Sequence, residues 1–441
     1  MRYFKLFFTF IILFFCLFFQ VNAEEKRLPN TPDFSSKRDI HIIYNTGKND
    51  KICGITLLFK WGVADEESYI QGLRSFIAEL IYKQIEDIKT DEGITALEAY
   101  GIGIKTEVES DYILFKSSCM KEDFPFVLEK ICEAVSNPFK DEKLFEKAKE
   151  DYVKKYKDKN GVISDVYSLF LTEFYKYHPY RHINSYSVRN IEKLNFKQAQ
   201  DFLSKLLKRD KIYISASGRF NQEKADKIIN KYFSNFGLSE IKPEEIQWDT
   251  EAGEKQKFLT ASSPNGYLLI GYSAPSYSSS DYFTMLVANN LTGNGFGSRF
   301  WREIREKNGM AYGLGGIYPA LEGPNHVMFY VMINPKNAMK VRKLAIDSIN
   351  DLKSNGFSDE ELKTAKEKAI GTLLLERESS AGFTSQKASS VALGLSPAID
   401  EIRQIKKVKK EDVAKVIDKY FKNPTVIIVR PPGLYIQDTW L

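Results

Sequence analysis

The twenty-one residues GNGFGSRFWREIREKNGMAYG, Gly293 to Gly313, contain five glycines, three arginines and a tyrosine. Glycine-rich loops cradle phosphates, guanidinium and phenol groups grip peptide carbonyls, and the same residues also make an ordinary turn before a helix. A dinucleotide fingerprint follows a strand and opens the next helix. Here Gly293, Gly295 and Gly297 follow the helix-like run DYFTMLVANNL, and no Lys-Ser/Thr pair comes after them. Phosphate is therefore disfavoured. Ser298 suits an N-cap and Gly309 a C-terminal cap. Phe300, Trp301 and Ile304 form the expected buried edge. Arg299–Glu303 and Arg302–Glu306 stand at i, i+4 ion-pair spacing. Arg305 has no such partner, and Tyr312 lies just past the cap.

Metal chemistry needs imidazoles, thiolates or carboxylates in clusters, and the chain has four histidines and four cysteines. In HPYRH, His178 and His182 have i, i+4 spacing, but Pro179 and the flanking tyrosines make the stretch a surface turn. His41 and His326 sit in strand-like runs. No CxxC or Cys/His cluster exists, so no structural zinc site is expected. The run YIQGLRSFIAELIYKQ reads as an amphipathic helix with Leu73, Phe76, Ile77, Leu80 and Ile81 buried. Ser75, Ala78 and Glu79 fall on its opposite side.

The elements that position these residues are written twice. SNPFKDEKLFEKAKE from Ser136 matches SNGFSDEELKTAKE from Ser354, and a strand, turn and helix precede each copy. NIEKLNFKQAQDFLSKLLKRDKIYISASG parallels IRQIKKVKKEDVAKVIDKYFKNPTVIIVR. The repeat predicts an α+β fold of two homologous α/β sandwich halves, each a sheet with helices on one face, enclosing a clam-like chamber. Residues 24–240 form the first half, 241–257 a linker and 258–441 the second.

MRYFK, the apolar run Leu6–Phe19 and Val21-Asn22-Ala23 have the three parts of a secretory signal, so residues 1–23 are expected to be removed. The run is short for a lasting membrane anchor. Export to the periplasm is the expectation. Net charge is +5, with +3 left after Arg2 and Lys5 depart with the signal. Lys and Glu are interspersed, which argues against a nucleic-acid partner. Cys53, Cys119 and Cys132 remain; whether Cys119 and Cys132 pair is open.

With the duplication and the motifs together, the chain resembles the insulinase (pitrilysin) family of zinc metallopeptidases, in its processing-peptidase-like form. The family's inverted zinc motif HxxEH lies in a run like GLAHFLEH; the matching run here is GLRSFIAE. Gly72, Leu73 and Phe76 agree, but Ser75, Ala78 and Glu79 hold the motif positions. The family's third ligand, a later glutamate, has Glu146 or Glu150 as candidate counterparts. A catalytic zinc needs three protein ligands and a base for its water. The resemblance therefore implies no metal and no catalytic residue in this chain. SRFWREIREKNGMAYG is similar to the second-half signature SRL…IRE…G.AY, whose Arg and Tyr bind substrate backbone. Arg305 and Tyr312 occupy those positions.

The family contains pairs in which one chain holds the zinc and the other the Arg/Tyr pair. The resemblance implies a non-catalytic, peptide-binding subunit acting on unfolded peptides beside a homologous HxxEH-bearing partner, which would carry the zinc. The alternative is a peptidase-independent structural or peptide-binding scaffold.

Overall fold

The computed structural model describes residues 39–45, 51–66, 70–86, 96–99, 101–157, 162–182, 188–239, 255–261, 263 and 265–431. The signal segment 1–23 and most of the expected linker lie outside them. The first half contains strands β1 (His41–Asn45), β2 (Ile52–Phe59), β3 (Gly103–Val108), β4 (Ile113–Met120) and β5 (Ile212–Ser217). The second contains β6 (Lys255–Thr260), β7 (Gly266–Ala274), β8 (Gly313–Ile317), β9 (Asn325–Ile333) and β10 (Thr425–Arg430). β6 begins inside the segment read as linker to residue 257; Lys255 to Thr260 pair with β10 and so belong to the second half.

The duplication is visible in the topology. The sheets run β1-β5-β2-β4-β3 and β6-β10-β7-β9-β8. In each, the first and last strands in sequence are parallel neighbours, and the other pairs are antiparallel. The central strands ICGITLLF and GYLLIGYSA are apolar without alternation and buried on both faces, the pattern of a strand covered from two sides.

The longer helices are α1 (Leu73–Glu86), α2 (Phe124–Ser136), α3 (Glu142–Lys157), α4 (Val162–Tyr175), α5 (Phe196–Leu206) and α6 (Gln222–Phe233) in the first half. The second half has α7 (Tyr282–Thr292), α8 (Ala338–Ser354), α9 (Asp359–Glu376), α10 (Ser380–Ala392) and α11 (Lys410–Tyr420). On one face of the first sheet, Cys53, Ile55, Leu57 and Phe59 pack with Phe76 and Leu80 of α1, Leu128 of α2 and Ile229 of α6. Leu268, Ile270 and Tyr272 do the same in the second half, with Val287, Val341 and Val416.

Helices on one face of each sheet were expected; the structure covers the second face too, by exchange. Ile43, Leu58, Leu114 and Tyr213 of the first sheet pack on Ala388, Val391 and Ala392 of α10, from the second half. Tyr267, Leu269, Ile427 and Val429 of the second sheet pack on Val166, Phe170 and Leu171 of α4, from the first. The cause is composition. Both faces are apolar, and an exposed sheet face forfeits roughly 25 cal/mol per Å². Val162 and Ser380, which open the two exchanged helices, stand as far apart in sequence as the repeat copies at Ser136 and Ser354.

A glycine marks each crossing. A Cβ on Gly54 would lie 2.2 Å from the Ser380 carbonyl oxygen, and one on Gly271 would lie 2.3 Å from the Phe170 ring. Thr56 and Thr384 share a buried hydroxyl hydrogen bond of 2.9 Å beside the first crossing. Phe170→Ala is expected to cost about 3–5 kcal/mol through the cavity left under β7. Gly271→Val is expected to cost about 1–3 kcal/mol by overpacking the same spot. Urea midpoints of the two variants test both; an unshifted Phe170→Ala midpoint would mean that the exchange does not hold the halves together.

Candidate peptide grip and degenerate metal position

Gly72, at φ 94°, turns the chain into α1. The backbone N–H groups of Gly72 and Arg74 donate to the Glu66 carboxylate at 3.2 and 2.7 Å, placing an anion at the helix N-terminus. Burial pushes the Glu66 carboxyl above its usual range, against the opposing pull of Arg74. Arg74 also donates to the Glu109 carbonyl at 2.5 Å.

The face carrying Ser75, Ala78 and Glu79 is not the solvent face that helical periodicity suggests. Ser75 is buried, and Ala78, 1% exposed, belongs to the core. The reason is that α1 lies between the sheet and α3, so only Glu79 reaches an edge. Its Oε1 accepts from the Lys155 ammonium and the Tyr156 hydroxyl, each at 2.5 Å. Phe145, Ala148 and Tyr152 are the buried stripe of α3, which brings Lys155 and Tyr156 round to α1. Glu146 and Glu150, the candidates for a third ligand, are exposed instead, and Glu146 pairs with Lys149 at 2.6 Å. A hydroxyl, a methyl and one carboxylate already holding two donors do not fit zinc. Among the described residues no group of three His, Cys, Asp or Glu side chains is placed to hold a metal.

The glycine-rich stretch folds differently. α7 ends at Thr292, and Gly295 and Gly297 take φ of 71° and 77°, open to glycine without strain. Ser298 Oγ accepts from the Trp301 N–H at 3.2 Å, the expected cap. Trp301–Glu306 is then wound as a π-helix, with the Lys307 N–H bonded to the Arg302 carbonyl at 2.9 Å. The expected Arg299–Glu303 and Arg302–Glu306 pairs do not form, because carboxylates of the neighbouring helices take both guanidinium groups. Arg299 bonds Asp351 and Glu361, Arg302 bonds Glu361, Glu303 pairs with Lys307, and Glu306 accepts from the Trp301 indole. Burial works against the Glu361 carboxylate, but the Ser358 N–H and the two guanidinium groups outweigh it and hold its pKa at about 2.

With Arg299 and Arg302 tied down, Arg305 is the arginine turned toward Tyr312. Its guanidinium lies 4.7 Å over the Trp301 ring and donates to the Tyr312 carbonyl. Gly309, at φ 61°, reverses the chain between the two residues. Tyr312 is anchored through its N–H to the Met332 carbonyl at 2.8 Å, and its side chain is 57% exposed. Phe296, 75% exposed, lies against Trp301 with ring centroids 4.0 Å apart and planes tilted by 46°. The sequence placed Trp301 on a buried edge and did not single out Phe296. The sole sequence signal for it is an aromatic residue flanked by two glycines. A guanidinium, the backbone of an exposed tyrosine and two tilted aromatic rings thus meet at one surface turn.

Comparison with protein-family models matches residues 41–176 to "Insulinase (Peptidase family M16)" and residues 193–369 to "Peptidase M16 inactive domain". The chain belongs to the insulinase (M16) family. It is 19% identical over 411 residues to the uncharacterized zinc protease YmxG of Bacillus subtilis, covering 91% of this chain and 98% of that protein. It is likewise 19% identical over 381 residues to the mitochondrial-processing peptidase subunit beta of Saccharomyces cerevisiae, covering 81% of each. Among solved structures, a protease from Helicobacter pylori superposes with TM-score 0.78 at 18% identity, covering 90% of this chain and 98% of that one. An M16 inactive domain from Pseudomonas fluorescens gives 0.77 at 17%, covering 91% and 97%.

Three of the four histidines of this M16 chain are held by contacts within the fold. His326 is fully buried between the halves, its two ring nitrogens hydrogen-bonded to Tyr175 (2.7 Å) and Tyr167 (3.0 Å) of α4. A neutral imidazole, one donor and one acceptor, suits that pairing, and burial holds its pKa down at about 3. The HPYRH turn is a 3-10 helix, Pro179–His182, but its His178 is buried rather than on the surface, with its pKa lowered by burial to about 4. Tyr180 in that turn donates to Asp111 at 2.5 Å, and the Glu322 N–H donates to the same carboxylate at 2.9 Å, tying the halves together. His41 stacks on Tyr213 at 4.2 Å. Cys53, Cys119 and Cys132 are free, buried thiols, so the open Cys119–Cys132 pairing is not formed.

Proposed function

We propose that this chain is the exported, non-catalytic member of a two-chain M16 endopeptidase, which binds unfolded peptides through Arg305 and Tyr312 and leaves water activation to a zinc-bearing homologue. The observation that carries the reading is a contrast between the halves. The first half's metal position holds Ser75, Ala78 and a Glu79 ion-paired with Lys155, while the second half keeps Arg305 and Tyr312 in contact beside the Phe296–Trp301 rings. A guanidinium fork pairs with a peptide carbonyl, and a phenol donates to an oxygen gaining charge. The halves of one chain interlock through α4 and α10, so the peptide chamber in this reading is closed by the second chain. A relative that is itself one subunit of a processing peptidase supports assembly of that kind.

The test is to purify the tagged chain from its native envelope and identify what co-elutes in stoichiometric amount. A homologue carrying HxxEH, with chelator-sensitive peptidase activity in the same peak, supports the proposal. A homodimer without peptidase activity, or a complex lacking any peptidase, replaces it with the scaffold role.

A further inference from the structure

We propose that the Lys155 ammonium has taken over the charge that a metal would bring to the first half, so that this position is a filled, metal-excluding site and not a vacant one. The inference deepens the non-catalytic reading at the metal position and is independent of the peptide grip. Glu79 Oε1 receives both the Lys155 ammonium and the Tyr156 hydroxyl at 2.5 Å. The same ammonium lies 4.9 Å over the Tyr156 ring, whose neighbour Tyr152 is 4.5 Å away and in turn meets Phe76 of α1 edge-on at 5.6 Å. One turn further along α1, and one turn back along α3, Lys83 pairs with Asp151. The two ion pairs have opposite polarity across the antiparallel helices, so each helix presents one charge of each sign to the other.

This arrangement satisfies Glu79 without a metal. The carboxylate has a full positive charge and a hydroxyl donor, and the ammonium has an anion and a ring face. A divalent cation brought to the same few ångströms meets the Lys155 charge, partly screened by solvent, with one shared carboxylate to offset it. Restoring ligands on α1 is therefore not enough to restore a metal site, because Lys155 occupies it from α3.

The test is made in the full-length chain, with zinc ion as the probe and a chromophoric chelator as competitor. Ser75→His, Glu79→His and Tyr156→Glu together supply three ligands of the kinds zinc accepts. This triple variant is expected to bind zinc at least tenfold more tightly when Lys155→Gln is added. Equal affinities with and without Lys155→Gln overturn the proposal, as does stoichiometric zinc retained by the unaltered chain after dialysis. Should the ligand variants fail to fold, Glu79→Gln and Lys155→Gln are compared singly and together in the native background. The proposal expects the double variant's denaturation midpoint to fall by less than the sum of the single shifts. Strictly additive shifts overturn it.

Discussion

Arg305→Ala, made in the complex with its zinc-bearing partner, is expected to lower kcat/KM for an unfolded peptide by roughly 10–10²-fold, the loss of one charge-assisted hydrogen bond of about 1.5–3 kcal/mol to a peptide carbonyl. Tyr312→Phe, which removes only the hydroxyl, is expected to lower kcat more than it raises KM, because a phenol aimed at developing charge acts mainly in the transition state. Arg305→Lys is expected not to rescue, since an ammonium lacks the planar fork. Neither side chain is in a core cluster, so circular dichroism and the unfolding midpoint are expected to stay near those of the unaltered chain. The Arg305 contact to the Tyr312 carbonyl is local, and its loss loosens one turn. Peptide turnover that survives both Arg305→Ala and Tyr312→Phe would end the peptide-grip assignment.

The second large effect is acid sensitivity of the contact between the halves. Burial lowers the His326 pKa to about 3 and the His178 pKa to about 4. An unfolded chain protonates both near 6.5. Above pH 6.5 all four species are neutral, and these groups contribute no pH dependence. As pH falls below 6.5, the unfolded chain takes up protons that the folded chain refuses. Each group then reduces stability by about 1.4 kcal/mol per pH unit until its folded pKa is reached.

Asp111 opposes this. Burial raises its pKa to about 6, against the hydrogen bonds from Tyr180 and Glu322, so the folded chain binds that proton first and gains stability as pH falls toward the ordinary carboxylate value. Among these three groups, two histidine slopes against one aspartate slope leave a net loss between pH 6 and pH 4. Burial also lowers the pKa values of His41 and His182, which adds to the loss, and raises those of Glu66, Glu109 and Glu376, which opposes it. Urea midpoints measured at pH 7, 5.5 and 4.5 are expected to fall steadily. His326→Gln, whatever its own cost, is expected to flatten the fall. An unchanged slope in that variant would show that His326 is not one of the proton-linked groups.

The fold was legible in the sequence because duplication is a property of order alone. SNPFKDEKLFEKAKE and SNGFSDEELKTAKE fix the correspondence of the halves, and two sheets with identical strand order follow it. The absence of a metal motif was legible for a related reason: ligand chemistry depends on side-chain type, and serine and alanine are not zinc ligands. Arg305 and Tyr312 were marked by the resemblance to the family's second-half signature, and the structure sets their backbones at one turn.

What the sequence did not contain is which apolar face meets which partner. Helical periodicity assigned Ser75 and Ala78 to an outer face, because a single helix can reveal one stripe but not a second layer packed on its back. The same limit hid α10 and α4 behind the sheets, and Lys155 and Tyr156 against Glu79, since those partners lie 76 and 77 residues away. The ion pairs of Arg299 and Arg302 followed i, i+4 spacing on paper. The carboxylates of Asp351 and Glu361 redirected them, and that choice exists only once α8 and α9 are packed beside the loop. Sequence order determined the duplicated fold, the missing ligands and the retained Arg/Tyr pair. Tertiary packing decided the exchange of helices, the Lys155–Glu79 ion pair and the exposure of Phe296 beside Trp301, because each depends on how segments meet in three dimensions.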